Sequence, residues 1–285
     1  MPSTKNYTAT IGSVTSLLEA VASLDQKPGE IVMFRGVKRA DWDNEAAIFR
    51  DPPALMPYER DIVRELPSIH PTEFEHDATM FDRLVRMQHY GLPTRLLDVT
   101  ANPLIALYFA VAKEGDNGQD GYVTVFHIPA DRRKYYDSDA VSCIANLANM
   151  SDDEKADISS HLSTTRSLFN KLNSVDRLLQ FIRSEKPYFR SNIDPGDLAR
   201  PFYVRPKMNN RRIIAQAGSF IIYGLKAQRD VPYQRNIRVK RWAVPNSLKA
   251  DILSELSNLG INVSTLFPEI DKAAAYVVSR FSKAP

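Results

Sequence analysis

Three stretches of this 285-residue chain hold polar groups where a plain core would not need them. The first is Phe34-Arg35-Gly36, at the end of the apolar run Ile31-Val32-Met33-Phe34. A guanidinium at the tip of a buried strand suits bidentate recognition of phosphate or carboxylate, and it equally suits an ion pair that anchors a loop. Gly36 beside it would let a ligand approach the backbone. The second stretch runs from Gln88 to Thr100 and includes His89, Tyr90, Thr94, Arg95 and Asp98. Asp98 and Thr100 alternate with Leu97 and Val99, so they share a strand face. Thr100 stands just before the next helix, whose free N–H groups favour an anion such as pyrophosphate. The alternative is that Asp98 pairs Arg95 and Thr100 only caps the helix. The third is Gln216, a polar residue in the run Ile213 to Phe220. Its amide needs partners, from a ligand or from a loop.

Several other chemistries have no signature here. P-loop, dinucleotide-fingerprint and His-Glu-x-x-His patterns are missing, as is Gly-x-Ser-x-Gly. The five histidines show no metal-ligand spacing, so no metal site is expected. His127 sits in a strand pattern and reads as a packed or surface residue. The single cysteine, Cys143, excludes an internal disulfide framework and lies in an apolar helical stretch.

The elements that must position these residues follow from periodicity. Apolar spacing predicts helices over 13–24, 102–112, 246–259 and 269–281, with short helices over 44–49 and 58–66. A long helix is expected over 72–90, with Thr72 and Glu75 as a capping box and Gly91 and Pro93 as stop signals. Strands are expected over 30–34, 94–99, 121–128, 212–223 and 238–244. Ser151 and Glu154 open a mostly helical region. Helices interrupt strands irregularly, which predicts an α+β fold in one continuous domain over 1–285, with a helical insertion near 131–200.

Composition places the chain among globular proteins: 44% hydrophobic and 25% charged. No apolar run approaches the roughly 18 residues of a membrane span, and no secretory signal is visible, so a cytoplasmic location without membrane association is expected. The net charge of +3 is unevenly spread. Residues 200–241 hold 11 basic residues and one acidic residue, Asp230. Arg211, Arg212, Arg235, Arg238 and Arg241 interleave with Phe202, Tyr203, Tyr223, Tyr233 and Trp242, as in surfaces that bind nucleic acid.

The segments Phe34 to Trp42, Gln88 to Thr100, Asn102-Pro103-Leu104 and Ala106 to Ala110 resemble the bacterial FRG-domain family, and the likeness extends to Gln216–Phe220 and on to Pro268. The motif order is similar to that of ADP-ribosyltransferases, which implies an ADP-ribosyltransferase-like mixed β core with NAD as substrate and no metal. The resemblance implies that Arg35 clamps phosphate or orients the nicotinamide ribose, with Phe34 and Gly36 beside it. Thr94, Arg95 and Thr100 would complete the phosphate and ribose contacts. His89 and Tyr90 would shape the nicotinamide site. Where such enzymes carry a catalytic Glu this chain has Gln216, which would hold a ribose hydroxyl or the acceptor. The carboxylate would come from Asp98, Glu59 or Glu185. The implied activity is transfer of ADP-ribose to nucleic acid, RNA before DNA, by a toxin in a toxin–antitoxin or phage-defence system, with an antitoxin as partner. Modification of a protein, NAD glycohydrolysis and a non-catalytic nucleotide- or nucleic-acid-binding module are the alternatives.

Overall fold

The computed structural model describes residues 7–39, 44–50, 54–112, 118–225 and 237–269. The chain opens with β1 (Ala9–Thr10), α1 (Val14–Ala22) and β2 (Ile31–Val37). 3-10 turns at Ala47–Phe49 and Met56–Tyr58 lead into α2 (Glu59–Ile69), α3 (Pro71–Phe74) and α4 (Met80–His89). β3 (Leu96–Thr100), α5 (Pro103–Val111) and β4 (Gly121–Ile128) follow. Next come β5 (Arg133–Tyr135), α6 (Asp139–Asn146), α7 (Asp152–Ser160), α8 (Arg166–Phe169), α9 (Asn173–Glu185) and α10 (Pro195–Leu198). The chain then forms β6 (Phe202–Arg205), α11 (Arg211–Ala215), β7 (Gly218–Ile222) and β8 (Arg238–Val244). α12 (Lys249–Asn258) and α13 (Val263–Leu266) complete the described part.

The result is a mixed α/β fold around one eight-stranded sheet, ordered β1-β8-β4-β2-β3-β7-β6-β5. Both edge pairs, β1 with β8 and β5 with β6, are parallel, and the inner pairs are antiparallel. β2 pairs β4 along its whole length, Ile31 with Ile128 through Val37 with Tyr122. β3 likewise pairs β7 over all five residues. Between these halves β2 and β3 share one bridge, Phe34 with Thr100. Continued antiparallel register would set Arg35 opposite Val99 and Gly36 opposite Asp98, and no such pairs form. The sheet is therefore split beyond Phe34, leaving a gap between its two halves.

Helices cover the same face of both halves. On one, α1, α5 and α12 bury Leu17, Leu107 and Ile252 against Phe34, Val125 and Trp242. On the other, α4, α6, α7 and α9 bury Leu84, Ile144, Ile158 and Leu178 against Leu96, Phe220 and Ile222. Strand alternation turns Met33, Leu97, Val99 and Ile221 to the opposite face, where they pack with Ile48 and Phe49. His127 is fully buried in β4. No helix among the described residues is long and apolar enough to cross a membrane.

Three expectations about elements need correction. The helix expected over 72–90 is broken into α3 and α4, because Thr79 adopts extended backbone and its hydroxyl accepts the Asp82 N–H at 3.1 Å. A hydroxyl that bonds its own backbone competes with helix continuation. The strand expected over 212–223 begins as α11, since Asn210 Oδ1 accepts the N–H groups of Arg212 and Ile213 and nucleates a turn. Ala217, with φ of 44°, then reverses the chain into β7. Residues 131–200 are mostly helical but also contribute β5 to the sheet edge. The helix expected over 269–281 lies outside the described residues, apart from Glu269.

Candidate functional site

α4 ends at the gap. Tyr90 is its C-cap, Gly91 takes φ of +85°, and Leu92 N–H and Gly91 N–H donate to the carbonyls of Met87 and Gln88. This is a Schellman closure, in which the left-handed residue is favourably glycine. It leaves Gln88 and His89, on the last turn of α4, facing the end of β3. Opposite them α5 starts from Asn102, whose Oδ1 accepts the Leu104 N–H at 2.9 Å, with Pro103 where a missing N–H costs little. α5 lies hard against β2: a Cβ on Gly36 would stand 1.8 Å from the Ala106 carbonyl oxygen. Gly36 thus admits a helix rather than a ligand.

The space left between these elements is a cleft of about 320 Å³. Phe34, Arg35, Gly36, His89, Asp98, Thr100, Arg212 and Gln216 line it, together with Gln88, Lys38 and Ser219. Volumes of this order are usual for small-molecule sites. A larger, open basin of about 590 Å³ lies among the helices of 139–197. Two cations on its wall, Arg166 and Lys186, pair with Asp194 and Asp139 of the same wall, so the smaller cleft has the stronger claim.

Among the described residues that line the cleft, Arg35 is the one with a buried polar atom left unpaired. Its Nη1 donates to the Asp98 carbonyl at 3.0 Å, bridging the split in the sheet. Its Nε is buried and has no hydrogen-bond partner among the described residues. Burial pushes the guanidinium below its usual range; Asp98 opposes this and Arg50 adds to it. An orphaned charged donor costs free energy until an acceptor arrives. The Asp98 carboxylate is exposed and receives Gln88 Nε2 at 2.8 Å. Gln88 is in turn oriented by Thr94, whose hydroxyl donates to its Oε1 at 2.7 Å. Arg212 sits over the Phe267 ring, 4.9 Å from its centroid. Burial lowers the His89 pKa, and Arg212 pushes it the same way.

Other expected site residues lie elsewhere. Arg95 and Glu59 are fully buried away from the cleft, where Arg95 Nε meets Glu59 Oε1 at 2.9 Å and Arg95 Nη2 contacts Oε2. Lys155 of α7 joins them at 2.9 Å, and Arg95 Nη1 donates to the Tyr223 carbonyl. This triad ties α2, β3 and α7 together. Glu185 is similarly structural, with Oε2 accepting the Met80 N–H at 2.6 Å. Tyr90 is exposed and donates to Glu73, so it borders His89 without lining the cleft. Thr100 lines the cleft, but its hydroxyl is spent on Gln216 O and Asn102 N–H. The first turn of α5 does not line the cleft. Gln216 Nε2 donates to the Leu266 carbonyl at 3.0 Å.

The basic residues disperse. Arg211 is exposed on α11 beside the cleft residue Arg212. Arg238 is neutralised on β8 by Glu30, at 2.6 Å, and Asp25. Arg241 stacks over Tyr122. Arg235 lies outside the described residues.

One comparison bears on this arrangement. Residues 30–119 match the FRG domain. That segment runs from β2 to just beyond α5 and supplies Arg35, His89, Asp98 and Thr100 to the cleft; Arg212, Gln216 and Ser219 come from beyond the FRG match, which is narrower than the span of the sequence resemblance. No curated protein and no solved structure matches the chain.

Proposed function

We propose that the cleft binds NAD and that the protein transfers its ADP-ribose to an acceptor. The observation that carries this reading is the meeting of Arg35, His89, Asp98 and Gln216 in one cleft at the split between β2 and β3. The orphaned Arg35 Nε fits an anionic oxygen, and Arg212 and Lys38 make the cleft predominantly positive, as a pyrophosphate requires. Breaking the nicotinamide glycosidic bond builds positive charge on the ribose, as in glycoside hydrolysis. Asp98 is the carboxylate of the cleft's lining suited to face that charge. Gln216, tied to Leu266, shapes the wall.

The acceptor we favour is nucleic acid, RNA before DNA, on the strength of Arg211 and Arg212 at the cleft. A nucleic-acid-modifying NAD consumer would harm its own cell, which suits a toxin in a toxin–antitoxin or phage-defence system, held by a partner antitoxin. Labelled NAD incubated with the full chain and RNA, DNA or protein tests the reading. Label on RNA is the expected outcome; label on protein moves the acceptor. Free ADP-ribose alone makes the protein a glycohydrolase. No turnover by wild type leaves a binding module and refutes the enzyme.

A further inference from the structure

His89 Nε2 faces a carboxylate that no motif of the cleft announces. Glu269 follows α13, and its Oε1 stands 3.6 Å from Nε2. Its other oxygen, Oε2, is buried and has no hydrogen-bond partner among the described residues. The chain that carries it is fixed at the cleft: Leu266 O accepts from Gln216, and Phe267 lies edge-on to Phe109 and under Arg212. A carboxylate facing one ring nitrogen selects the tautomer that leaves the other nitrogen as acceptor. The 3.6 Å separation is longer than a hydrogen bond, a common state of catalytic pairs before substrate closes the site.

We infer that His89 is the general base of the cleft for a hydroxyl-bearing acceptor and that Glu269 is its positioning residue, an inference that rests on the NAD reading above. In the step, the acceptor O–H gives its proton to His89 Nδ1, and the oxygen's electron pair forms the bond to the anomeric carbon of the ribose. The C–N bond to nicotinamide breaks, its pair staying on the ring nitrogen and neutralising the pyridinium. The imidazolium left behind faces Glu269. The charged groups facing His89 are Arg86 on its own helix, Arg212 from α11 and Glu269. Burial and the two arginines hold the imidazole below its usual pKa while Glu269 opposes them, which favours the neutral ring that can accept a proton.

The full chain and its His89→Gln, Glu269→Gln and Glu269→Asp variants provide the test, read by the pH profile of NAD consumption and by NMR of the histidine ring nitrogens. His89→Gln is expected to lower kcat about 100-fold. Glu269→Gln lowers it about tenfold. It also moves the acid limb of the profile to lower pH, because loss of the carboxylate lowers the His89 pKa. The Nε2–H tautomer, dominant in the wild type, gives way to a mixture, and Glu269→Asp restores both readings. A Glu269→Gln profile and tautomer identical to an active wild type overturn the pair and leave the NAD reading standing. A wild type that consumes no NAD overturns that reading and the step with it.

Discussion

Arg35 Nη1 donates to the backbone carbonyl of Asp98 at 3.0 Å, across the place where β2 and β3 stop pairing. Beside the Phe34–Thr100 bridge, this hydrogen bond joins the two halves of the sheet at the cleft, while the neighbouring Nε has no hydrogen-bond partner among the described residues. A side chain held this way contributes little to stability and much to an incoming anion. Arg35→Ala is expected to lower kcat/KM for NAD about 10²–10³-fold, the range for loss of one preorganised donor. Its Tm should be unchanged or higher, because the substitution also removes an unsatisfied buried donor. Arg35→Lys keeps the charge without the planar fork and should recover only part of the activity. Calorimetry beside NAD kinetics checks this; a large fall in Tm would make Arg35 a structural residue.

Gly36 yields the opposite pattern. A Cβ there would lie 1.8 Å from the Ala106 carbonyl oxygen and 2.8 Å from Ala110 N, both helix backbone that has no room to retreat. Gly36→Ala should cost about 3 kcal/mol or more, at the upper end for overpacking. Gly91→Ala, with nothing within 4 Å but φ of +85°, should cost only the left-handed strain of about 1–2 kcal/mol. Urea unfolding of both variants distinguishes a packing requirement from a conformational one, and equal costs would contradict it.

Glu59 belongs to the core although its type and position invited a catalytic reading. Burial alone would raise its pKa, but Arg95 and Lys155 prevail and hold it below the usual 4.5. Glu59→Gln leaves two buried cations uncompensated and should cost about 3–5 kcal/mol. Because the folded pKa is depressed, the stabilising contribution is complete above the unfolded carboxylate range and disappears as pH falls through the folded value. The difference in stability between wild type and Glu59→Gln should therefore shrink on going from pH 7 to below 4.5. Denaturant titrations at several pH values measure it, and a constant difference would argue against the ionised triad.

The elements around the cleft were legible where local rules act alone. Gly91 as helix stop, Asn102-Pro103 as helix start and the largely apolar run of β4 each depend on neighbours a few residues away. Arg35, His89 and Asp98 announced themselves as polar residues at the ends of apolar runs, and they do share one cleft. Arg95 gave the same signal, and Glu59 entered as a carboxylate implied by the resemblance, yet neither lines the cleft, because a buried ion pair and a binding site look alike until their partner is known; theirs is Lys155, 60 and 96 residues away. Gln216 was expected in a strand because of its apolar neighbours, but the helix-starting bond from Asn210 outcompetes that pattern and leaves Gln216 as the C-cap of α11. Glu269 was invisible as a site residue: only the fold brings it to His89, 180 residues earlier.

Gln216 lies nearest the place where the resemblance to transferases implies a carboxylate, which suggests the substitution Gln216→Glu. Its amide Nε2 donates to Leu266 O at 3.0 Å, and a carboxylate would instead set oxygen against oxygen. Loss of that bond should cost about 1–3 kcal/mol and loosen the segment that carries Phe267 and Glu269. NAD turnover should fall rather than rise. Increased turnover in this variant would mean that the amide is a replaced catalytic group and not an anchor.

The charge asymmetry of the sequence predicted one basic face, and the structure divides it. Arg238 is held by Glu30 and Asp25 on β8, two strands from β2. Arg211 is exposed on α11 beside the cleft. A guanidinium already paired with two carboxylates has little potential left for phosphate, whereas an exposed one releases counterions when RNA binds. Arg211→Ala should weaken RNA binding and reduce the slope of log K against log salt by about 0.7, the value for one phosphate contact on a single strand. Arg238→Ala should leave both unchanged and lower thermal stability instead. Fluorescence anisotropy with a labelled single-stranded RNA at several salt concentrations separates the two. If Arg238→Ala weakens RNA binding and Arg211→Ala does not, the polyanion surface lies on β8 and not at the cleft.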